Sequence, residues 1–319
     1  MTFYHLLDLR APKFYKTNWQ TPKHGMALML LALGLTLAGC QTGNRASNPR
    51  TAGVTQSVSQ SLPSAKSGGK STINVTPNLA YGQDARQRLD IYTPADNQRH
   101  PVVIFVYGGS WKQGKRQTYA FVGKQFAKAG YTTVVVDYRL APQHVFPDYV
   151  NDTAYAMGWV YQNIAHYGGN PEQLFVMGHS AGAFNVVSAV DDSRFWTQAG
   201  IPDKAVLGVI GLAGPYDYDF RLGTTQVAFP KGSTPEQVMP VYHIRQGVPP
   251  HLLVTGDKDT VVYPQNADSL QRALIKAGAQ VERVAVPASH VGVVTSLSKP
   301  LQPFYPTFGK ITDFLQRHL

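Results

Sequence analysis

Residues 174–182, LFVMGHSAG, place a serine after an apolar run and between two glycines, each two positions away. Gly178 and Gly182 carry no Cβ, so the backbone around Ser180 can make a tight turn that larger residues would block. The pattern predicts a strand, a sharp turn that exposes the Ser180 hydroxyl, and then a helix beginning at Ala181. Because G-x-S-x-G also occurs by chance, the rest of the sequence decides whether this serine has a chemical role.

Short apolar runs recur on both sides of this stretch from about Thr72 onward. The early runs are almost continuously apolar, which is typical of strands that are covered on both faces. Arg88–Tyr92 (RLDIY) predicts an earlier strand at the edge of the sheet. The remaining predicted strands are Val102–Tyr107, Thr132–Asp137, Leu174–Gly178, Val206–Leu212, Leu252–Thr255 and Val281–Val286.

Longer amphipathic stretches lie between these runs and predict helices. They are Tyr119–Ala129, Tyr149–Ala165, Ala181–Ala189, Gln265–Ala277 and Pro306–Arg317. Gly130 and Gly278 stand where two of these helices should end. The alternation of strand and helix predicts an α/β fold, with an open and mostly parallel sheet flanked by helices.

Four of the predicted strands are followed by glycine or by side chains that can do chemistry. Gly108 and Gly109 follow the first long strand, Ser180 follows LFVMG, Asp257 and Asp259 follow LLVT, and His290 follows VERVAV. The carboxyl ends of parallel strands meet at one edge of a sheet, where ligands bind. We therefore expect these residues to come together in the folded chain.

The residue types at this edge suit nucleophilic catalysis. A serine hydroxyl is a weak nucleophile and needs a base, which His290 can supply if a carboxylate fixes its tautomer and orientation. The helix that begins at Ala181 directs its free N–H groups and the positive end of its dipole toward the serine. Backbone N–H groups of Gly108, Gly109 and Ala181 are the candidate donors to an oxyanion.

The stretch from Arg88 to the C-terminus resembles α/β-hydrolases of the carboxylesterase type. Within that group it is similar to the branch that holds hormone-sensitive-lipase-like esterases, feruloyl-esterase-like domains, isoprenylcysteine methylesterases and kynurenine formamidases. The matching pieces are YGGSW (107–111), DYRLAP (137–142), FP (146–147), YGGNPEQ (167–173), GHSAG (178–182) and GDKDTVV (256–262), at the spacings of the family.

The resemblance implies a serine esterase that hydrolyses short-chain acyl or aryl esters of small molecules. It implies a triad of Ser180, His290 and Asp259, because Asp259 matches the family pattern G-x-x-D-x-x-V and Asp257 would then be a turn residue. It implies no metal and no cofactor. An amidase or peptidase of the same fold is one alternative. A non-catalytic envelope binding protein is another, but that class predicts a broken triad, and all three members are present.

Two positions depart from the family, which usually has histidine at Tyr107 and often a third glycine at Ser110. Trp111 is expected either to line the substrate pocket or to pack beneath the loop. His179 is expected to point away from the site into packing. Residues 215–248 contain scattered aromatic residues without clear periodicity and predict a short cap above the serine.

The N-terminal segment predicts export and lipidation. MALMLLALGLTL (26–37) is too short to span a bilayer, follows four basic residues, and ends in LAGC (37–40), which resembles a lipoprotein cleavage site. Cys40 is the only cysteine of the 319 residues, so it is the predicted lipidation site, although a buried thiol is the alternative. We expect residues 1–39 to be a signal peptide, 40–71 a flexible tether, and 72–319 the hydrolase domain.

The chain is basic, with a formal net charge of +10. Removing the four basic and one acidic residues of 1–39 leaves 25 Lys and Arg against 18 Asp and Glu, or +7. This charge either keeps the protein soluble or lies against anionic headgroups beside the lipid anchor. The sequence lacks a basic helix, interleaved basic and aromatic residues, and zinc spacing, so we expect no nucleic-acid partner. In bacterial lipoproteins, an aspartate after the lipidated cysteine resembles a signal for retention in the inner membrane. This chain has Gln41 at that position, which favours the outer membrane, facing the periplasm. The sequence does not predict an oligomeric state.

Overall fold

A computed structural model describes residues 72–319, which form an α/β fold around one eight-stranded sheet. The strands are β1 (Ile73–Ala80), β2 (Arg88–Pro94), β3 (His100–Val106), β4 (Thr132–Val136), β5 (Gly169–His179), β6 (Val206–Leu212), β7 (His251–Gly256) and β8 (Val281–Val286). Their order across the sheet is β1-β2-β4-β3-β5-β6-β7-β8. The pairs β1–β2 and β2–β4 are antiparallel and the other five are parallel, which confirms the predicted sheet.

Helices pack around this sheet. They are α1 (Ala120–Lys128), α2 (Asp148–Asn163), α3 (Ala181–Asp191), α4 (Ser193–Ala199), α5 (Pro235–Val238), α6 (Gln265–Lys276), α7 (His290–Thr295) and α8 (Thr307–Arg317). The five predicted helices are present, with ends shifted by at most two residues. The short helices α4, α5 and α7 were not predicted, because none is long enough to show a helical period in the sequence.

The core lies on both faces of the central strands. Every residue is fully buried in two segments, 102–106 of β3 and 174–177 of β5, as the continuous apolar runs predicted. The outer helices bury one stripe each: α6 turns Leu270 and Leu274 inward at a spacing of four residues. Gly278 follows α6 with a φ of 82°, a left-handed conformation that suits glycine and ends the helix where expected.

The prediction of Arg88–Tyr92 as an edge strand is wrong. β2 lies between β1 and β4, and almost all of its side chains are buried. The true edge strand is β1, which reads INVTPNLA and buries none of its side chains fully. A strand covered on one side only needs no apolar run, so the sequence carried little sign of β1.

The other boundaries differ from the predictions by at most two residues, except the start of β5. β5 begins at Gly169 rather than Leu174, because its polar first residues pair beside β3 before the apolar part begins. The helix predicted for Tyr149–Ala165 ends at Asn163 and continues as a 3₁₀ turn over Ile164–Tyr167. Neither change alters the carboxyl ends of the strands, where the candidate site lies.

The cap candidate 215–248 contains only short elements. They are 3₁₀ turns at Phe220–Leu222, Gln226–Ala228 and Pro240–Tyr242, together with α5. The longest of them has four residues, so this segment offers no long amphipathic helix. Its role as a cap stays a prediction.

The predicted signal peptide (1–39), Cys40 and the predicted tether (40–71) lie outside the described residues. Within 72–319, no helix combines the length and apolar character that crossing a bilayer requires.

A buried ion cluster joins the antiparallel part of the sheet to the loop after β3. The Arg116 guanidinium donates to Asp90 Oδ1 at 2.6 Å and to Asp137 Oδ2 at 2.5 Å, and all three side chains are buried. Tyr107 donates its hydroxyl to the other oxygen of Asp137 at 2.6 Å. Arg116 therefore neutralises two buried carboxylates beneath the glycine loop.

We predict that Arg116→Met lowers the free energy of unfolding by about 3–5 kcal/mol, because it removes the buried guanidinium that hydrogen-bonds to both Asp90 and Asp137 and leaves only Arg86, 3.9 Å from Asp137. Arg317→Met is the matched control, since Arg317 pairs with Glu282 on the surface. The control should cost about 1 kcal/mol or less. Urea unfolding of both variants measures the difference, and an equal cost for the two would contradict this role of Arg116.

Candidate active site

Ser180 occupies a strained turn between β5 and α3. Its backbone has φ 53° and ψ −122°, a conformation that residues other than glycine rarely adopt. Neighbouring backbone groups hold it there: Ser180 N–H donates to the Leu212 carbonyl at 2.8 Å, and Ala183 N–H donates to the Ser180 carbonyl at 2.9 Å. The strand, turn and helix predicted from GHSAG are all present.

The glycines around Ser180 are required by close contacts. A Cβ on Gly178 would lie 2.2 Å from the Gly182 carbonyl oxygen, and a Cβ on Gly182 would lie 2.1 Å from the Val106 carbonyl oxygen. A Cβ on Gly108 would lie 2.7 Å from the Cβ of Ser180. The turn and the loop after β3 can therefore approach each other only because these positions lack side chains.

Ser180, His290 and Asp259 form a continuous hydrogen-bonded chain. His290 Nε2 lies 2.8 Å from Ser180 Oγ, and His290 Nδ1 lies 2.8 Å from Asp259 Oδ2. The Asp259 carboxylate can only accept a hydrogen bond, so His290 Nδ1 is the donor and carries the ring proton. His290 Nε2 is then free to accept the proton of the Ser180 hydroxyl. The structure thus brings together the three residues predicted from three different strand ends, and Asp257 is exposed on the same loop.

The Asp259 carboxylate is held in its charged form. Burial works to raise the pKa of this carboxyl, but the hydrogen bond and charge of His290 act against it, together with N–H groups of Val261 and Val262 that donate at 2.8 and 2.9 Å. The balance holds the pKa of Asp259 below its ordinary value. A charged carboxylate at this position stabilises a proton on His290.

His179 is buried, but the prediction that it points away from the site is wrong. Its ring lies 5.0 Å from the His290 ring, and its Nε2 lies 3.0 Å from the His290 carbonyl oxygen. Burial and, to a smaller extent, the adjacent His290 ring lower the pKa of His179 to about 3, against smaller opposing effects of the hydrogen bond to the His290 carbonyl and of Asp259. Neutral His179 therefore donates from Nε2 to the backbone of His290.

The candidate oxyanion donors lie around the serine. Ala181 is the first residue of α3, and Gly109 lines the same cavity as Ser180. Across residues 72–319, no hydrogen bond uses the backbone N–H of Gly108, Gly109 or Ala181 as its donor. Gly109 and Ala181 line the cavity, whereas Gly108 is buried and is not among the lining residues. The part of the three N–H groups in stabilising an oxyanion stays a prediction.

The loop that carries Gly108 and Gly109 is anchored at its first residue by Tyr107. The Tyr107 hydroxyl donates to Asp137 and accepts from the Arg86 guanidinium at 2.8 Å. Burial raises the pKa of Tyr107, so the phenol stays protonated and keeps donating. Tyrosine at this position fixes the base of the loop by reaching the ion cluster around Arg116.

The loop is anchored at its other end by Trp111. The indole N–H donates to Asn185 Oδ1 on α3 at 2.8 Å, and the ring stacks on Tyr149 with Phe184 and Phe229 at its edges. Trp111 packs beneath the loop and also borders the cavity, so both predicted alternatives hold. Asn185 was not predicted; a lone amide in the fully buried sequence AGAFNVVSAVD of α3 is the signal that could have indicated it.

A cavity of about 260 Å³ opens above the serine. The segment 215–248 contributes to its wall, with Pro215, Tyr218 and Thr225. The other lining residues are Gly109, Ser110, Trp111, Gln113, Tyr119, His179, Ser180, Ala181, Val261, Val262, His290 and Val291. In the part of the chain that the structure describes, no group of three or more His, Cys, Asp or Glu side chains could hold a metal ion.

We predict that His179 makes the fold sensitive to acid. Below about pH 6.5 the unfolded chain protonates this histidine, whereas the folded chain does not until about pH 3, so unfolding takes up a proton and the free energy of unfolding falls as pH falls. His179→Gln should remove up to about 1.4 kcal/mol per pH unit from this dependence.

Urea unfolding between pH 6 and 4.5 measures the slope for the wild type and for His179→Gln. His166→Gln is the control, because His166 is exposed, and it should keep the wild-type slope. A slope that is unchanged in His179→Gln would show that His179 is not held neutral.

Comparison with known proteins agrees with this architecture. A family model described as BD-FAE matches residues 89–217. Esterase LipC of Mycobacterium tuberculosis is 29% identical over 237 residues, which cover 67% of this chain and 59% of the relative. Isoprenylcysteine alpha-carbonyl methylesterase ICME of Arabidopsis thaliana is 30% identical over 235 residues, which cover 66% of this chain and 55% of the relative. The chain thus spans little more than half the length of these curated relatives.

The solved structure of Esterase B from Lactobacillus rhamnosis superposes with a TM-score of 0.65 at 17% identity. The match covers 77% of this chain and 85% of that one, which is nearly all of the described residues. Residues 72–319 have the α/β-hydrolase fold.

Proposed function

We propose that this protein is a serine carboxylesterase that hydrolyses short-chain acyl or aryl esters. The observation that carries the proposal is the chain of two 2.8 Å hydrogen bonds from Ser180 through His290 to Asp259, at the floor of an open cavity. The esterase names of the two curated relatives support it.

In the first half-reaction, Ser180 Oγ attacks the ester carbonyl carbon and gives its proton to His290 Nε2. The carbonyl oxygen becomes an oxyanion that the N–H groups of Gly108, Gly109 and Ala181 stabilise. The tetrahedral species collapses, the bond to the alcohol oxygen breaks, and that oxygen takes the proton from His290. An alcohol leaves, and the acyl group remains on Ser180.

In the second half-reaction, water attacks the acyl carbon and gives a proton to His290 Nε2. Collapse of the second tetrahedral species returns that proton to Ser180 Oγ and releases the carboxylic acid. His290 is positively charged after each attack, and the ionised Asp259 stabilises that charge. His179 adds no repulsion, because burial keeps it neutral.

The size of the cavity favours small acyl groups. Its lining includes Trp111, Pro215 and Tyr218, which are buried in the fold and leave a space of about 260 Å³ around Ser180. Each methylene that a site buries contributes about 0.8 kcal/mol, so a site without room for a long tail gains nothing from added carbons. The segment 215–248 also has no long helix that could act as a lid at an oil surface.

A p-nitrophenyl ester series tests the proposal. We expect kcat/KM to be higher for acetyl to butyryl esters than for decanoyl or longer esters, without a jump in rate when micelles form. Ser180→Ala should lower kcat by at least about 1,000-fold, because the nucleophile is gone. Ser193→Ala, on the exposed start of α4, should leave the rate unchanged.

Three outcomes would contradict parts of this proposal. Full activity in Ser180→Ala would exclude Ser180 as the nucleophile. A maximum at ten carbons or beyond, or a rate jump with micelles, would indicate a lipase. Faster hydrolysis of the matching anilides than of the esters would favour the amidase alternative.

We further propose that the protein is anchored through a lipid on Cys40 to the bacterial envelope, at the periplasmic face of the outer membrane. The support is the LAGC sequence after an apolar run too short to span a bilayer. Cys40→Ser should move the protein from the detergent phase to the aqueous phase when expressing cells are fractionated. A variant that stays in the detergent phase would contradict the lipid anchor.

A further inference from the structure

Two exposed valines line the same cavity as the His290 imidazole. Val291 directly follows His290 in the chain and is 59% exposed, and Val261 follows β7 and is 41% exposed. Both line the cavity that holds the Ser180 hydroxyl. We name Val261 and Val291 the valine ledge.

The valine ledge is fixed to the segments that carry the acid and the base. Val261 N–H donates to Asp259 Oδ1 at 2.8 Å, so the backbone of Val261 is tied to the carboxylate. Val291 lies in the first turn of α7, where the Ser289 side chain accepts from Gly292 N–H and caps the helix. The ledge therefore keeps a set position relative to His290 without help from a ligand.

The chemistry of ester hydrolysis places one part of the substrate next to the ledge. The departing alcohol oxygen takes its proton from His290 Nε2, so it must come within hydrogen-bond distance of that nitrogen. The carbon chain bonded to this oxygen then lies on the His290 side of the cavity, which Val291, the next residue in the chain, also lines. The acyl part, by contrast, remains bonded to Ser180 Oγ.

We infer that the valine ledge binds the alcohol part of the ester and selects alcohols with an apolar chain over polar, sugar-like alcohols. This inference rests on the proposed esterase function and adds the substrate class on the alcohol side. An apolar chain that covers Val261 and Val291 removes exposed apolar surface from water. A polyol in the same place would lose hydrogen bonds to water and find no partner on a valine side chain.

The test uses three butyrate esters that differ only in their alcohol: ethyl butyrate, n-hexyl butyrate and glycerol monobutyrate. Titration of the released acid gives kcat/KM for each ester below its solubility limit. The wild type should prefer hexyl butyrate to glycerol monobutyrate. The double variant Val261→Thr with Val291→Thr keeps the side-chain shape but replaces a methyl by a hydroxyl at each position. It should lower the hexyl-to-ethyl ratio of kcat/KM by about three- to tenfold.

Val75→Thr is the matched control, because Val75 is also exposed but lies on β1 at the opposite edge of the sheet, and it should keep the wild-type ratio. An unchanged ratio in an active double variant would overturn the inference and leave the esterase proposal standing. Absence of hydrolysis of all three esters by the wild type would contradict the esterase proposal and the inference with it. A rate jump above the solubility limit of hexyl butyrate, lost in the double variant, would show that the ledge binds an aggregate surface and would also overturn the inference.

Discussion

The left-handed backbone of Ser180 is the constraint on which the rest of the site depends. Holding a residue with a Cβ at a φ of 53° costs about 1–3 kcal/mol of conformational free energy, so the surrounding structure must stabilise this conformation. β5 at the centre of the sheet and the fully buried α3 supply that support on either side of the turn. This turn requires glycine at three nearby positions, 108, 178 and 182. A Cβ at any of them would lie within 3 Å of backbone atoms or of the Ser180 side chain.

The two buried side chains that contact His290 differ in charge state. Hydrogen bonds and the neighbouring imidazole keep Asp259 ionised in spite of burial, whereas burial keeps His179 neutral. During the proposed reaction, the His290 imidazole can therefore gain a proton beside the negative charge of Asp259, while the neighbouring His179 carries no positive charge. His179 meanwhile binds the His290 carbonyl, so the residue before the nucleophile also positions the base.

The sequence predicted those parts of the site that follow from strand order. Ser180, Asp259 and His290 stand at the ends of apolar strands, and a parallel sheet brings such ends together whatever the intervening chain does. The orientation of His179 was predicted wrongly and the contact of Asn185 with Trp111 was not predicted, because both depend on side chains that meet only in the folded molecule. The strand β1 was missed because most of its side chains are exposed, so INVTPNLA shows neither a continuous apolar run nor a strict alternation. The glycines of GHSAG, in contrast, are needed to avoid a clash with nearby backbone at the turn. The sequence pattern therefore predicted the turn without knowledge of the rest of the fold.

Peptide mapping after reaction with a fluorophosphonate tests the central claim, that the turn between β5 and α3 exposes one activated serine. The probe forms a bond from serine oxygen to phosphorus with loss of fluoride, and it needs a hydroxyl activated by a base. Mass spectrometry should find a single adduct, on Ser180, and His290→Gln should slow its formation strongly while the protein stays folded. An adduct on a different serine, or equal labelling of Ser180 in His290→Gln, would contradict the account.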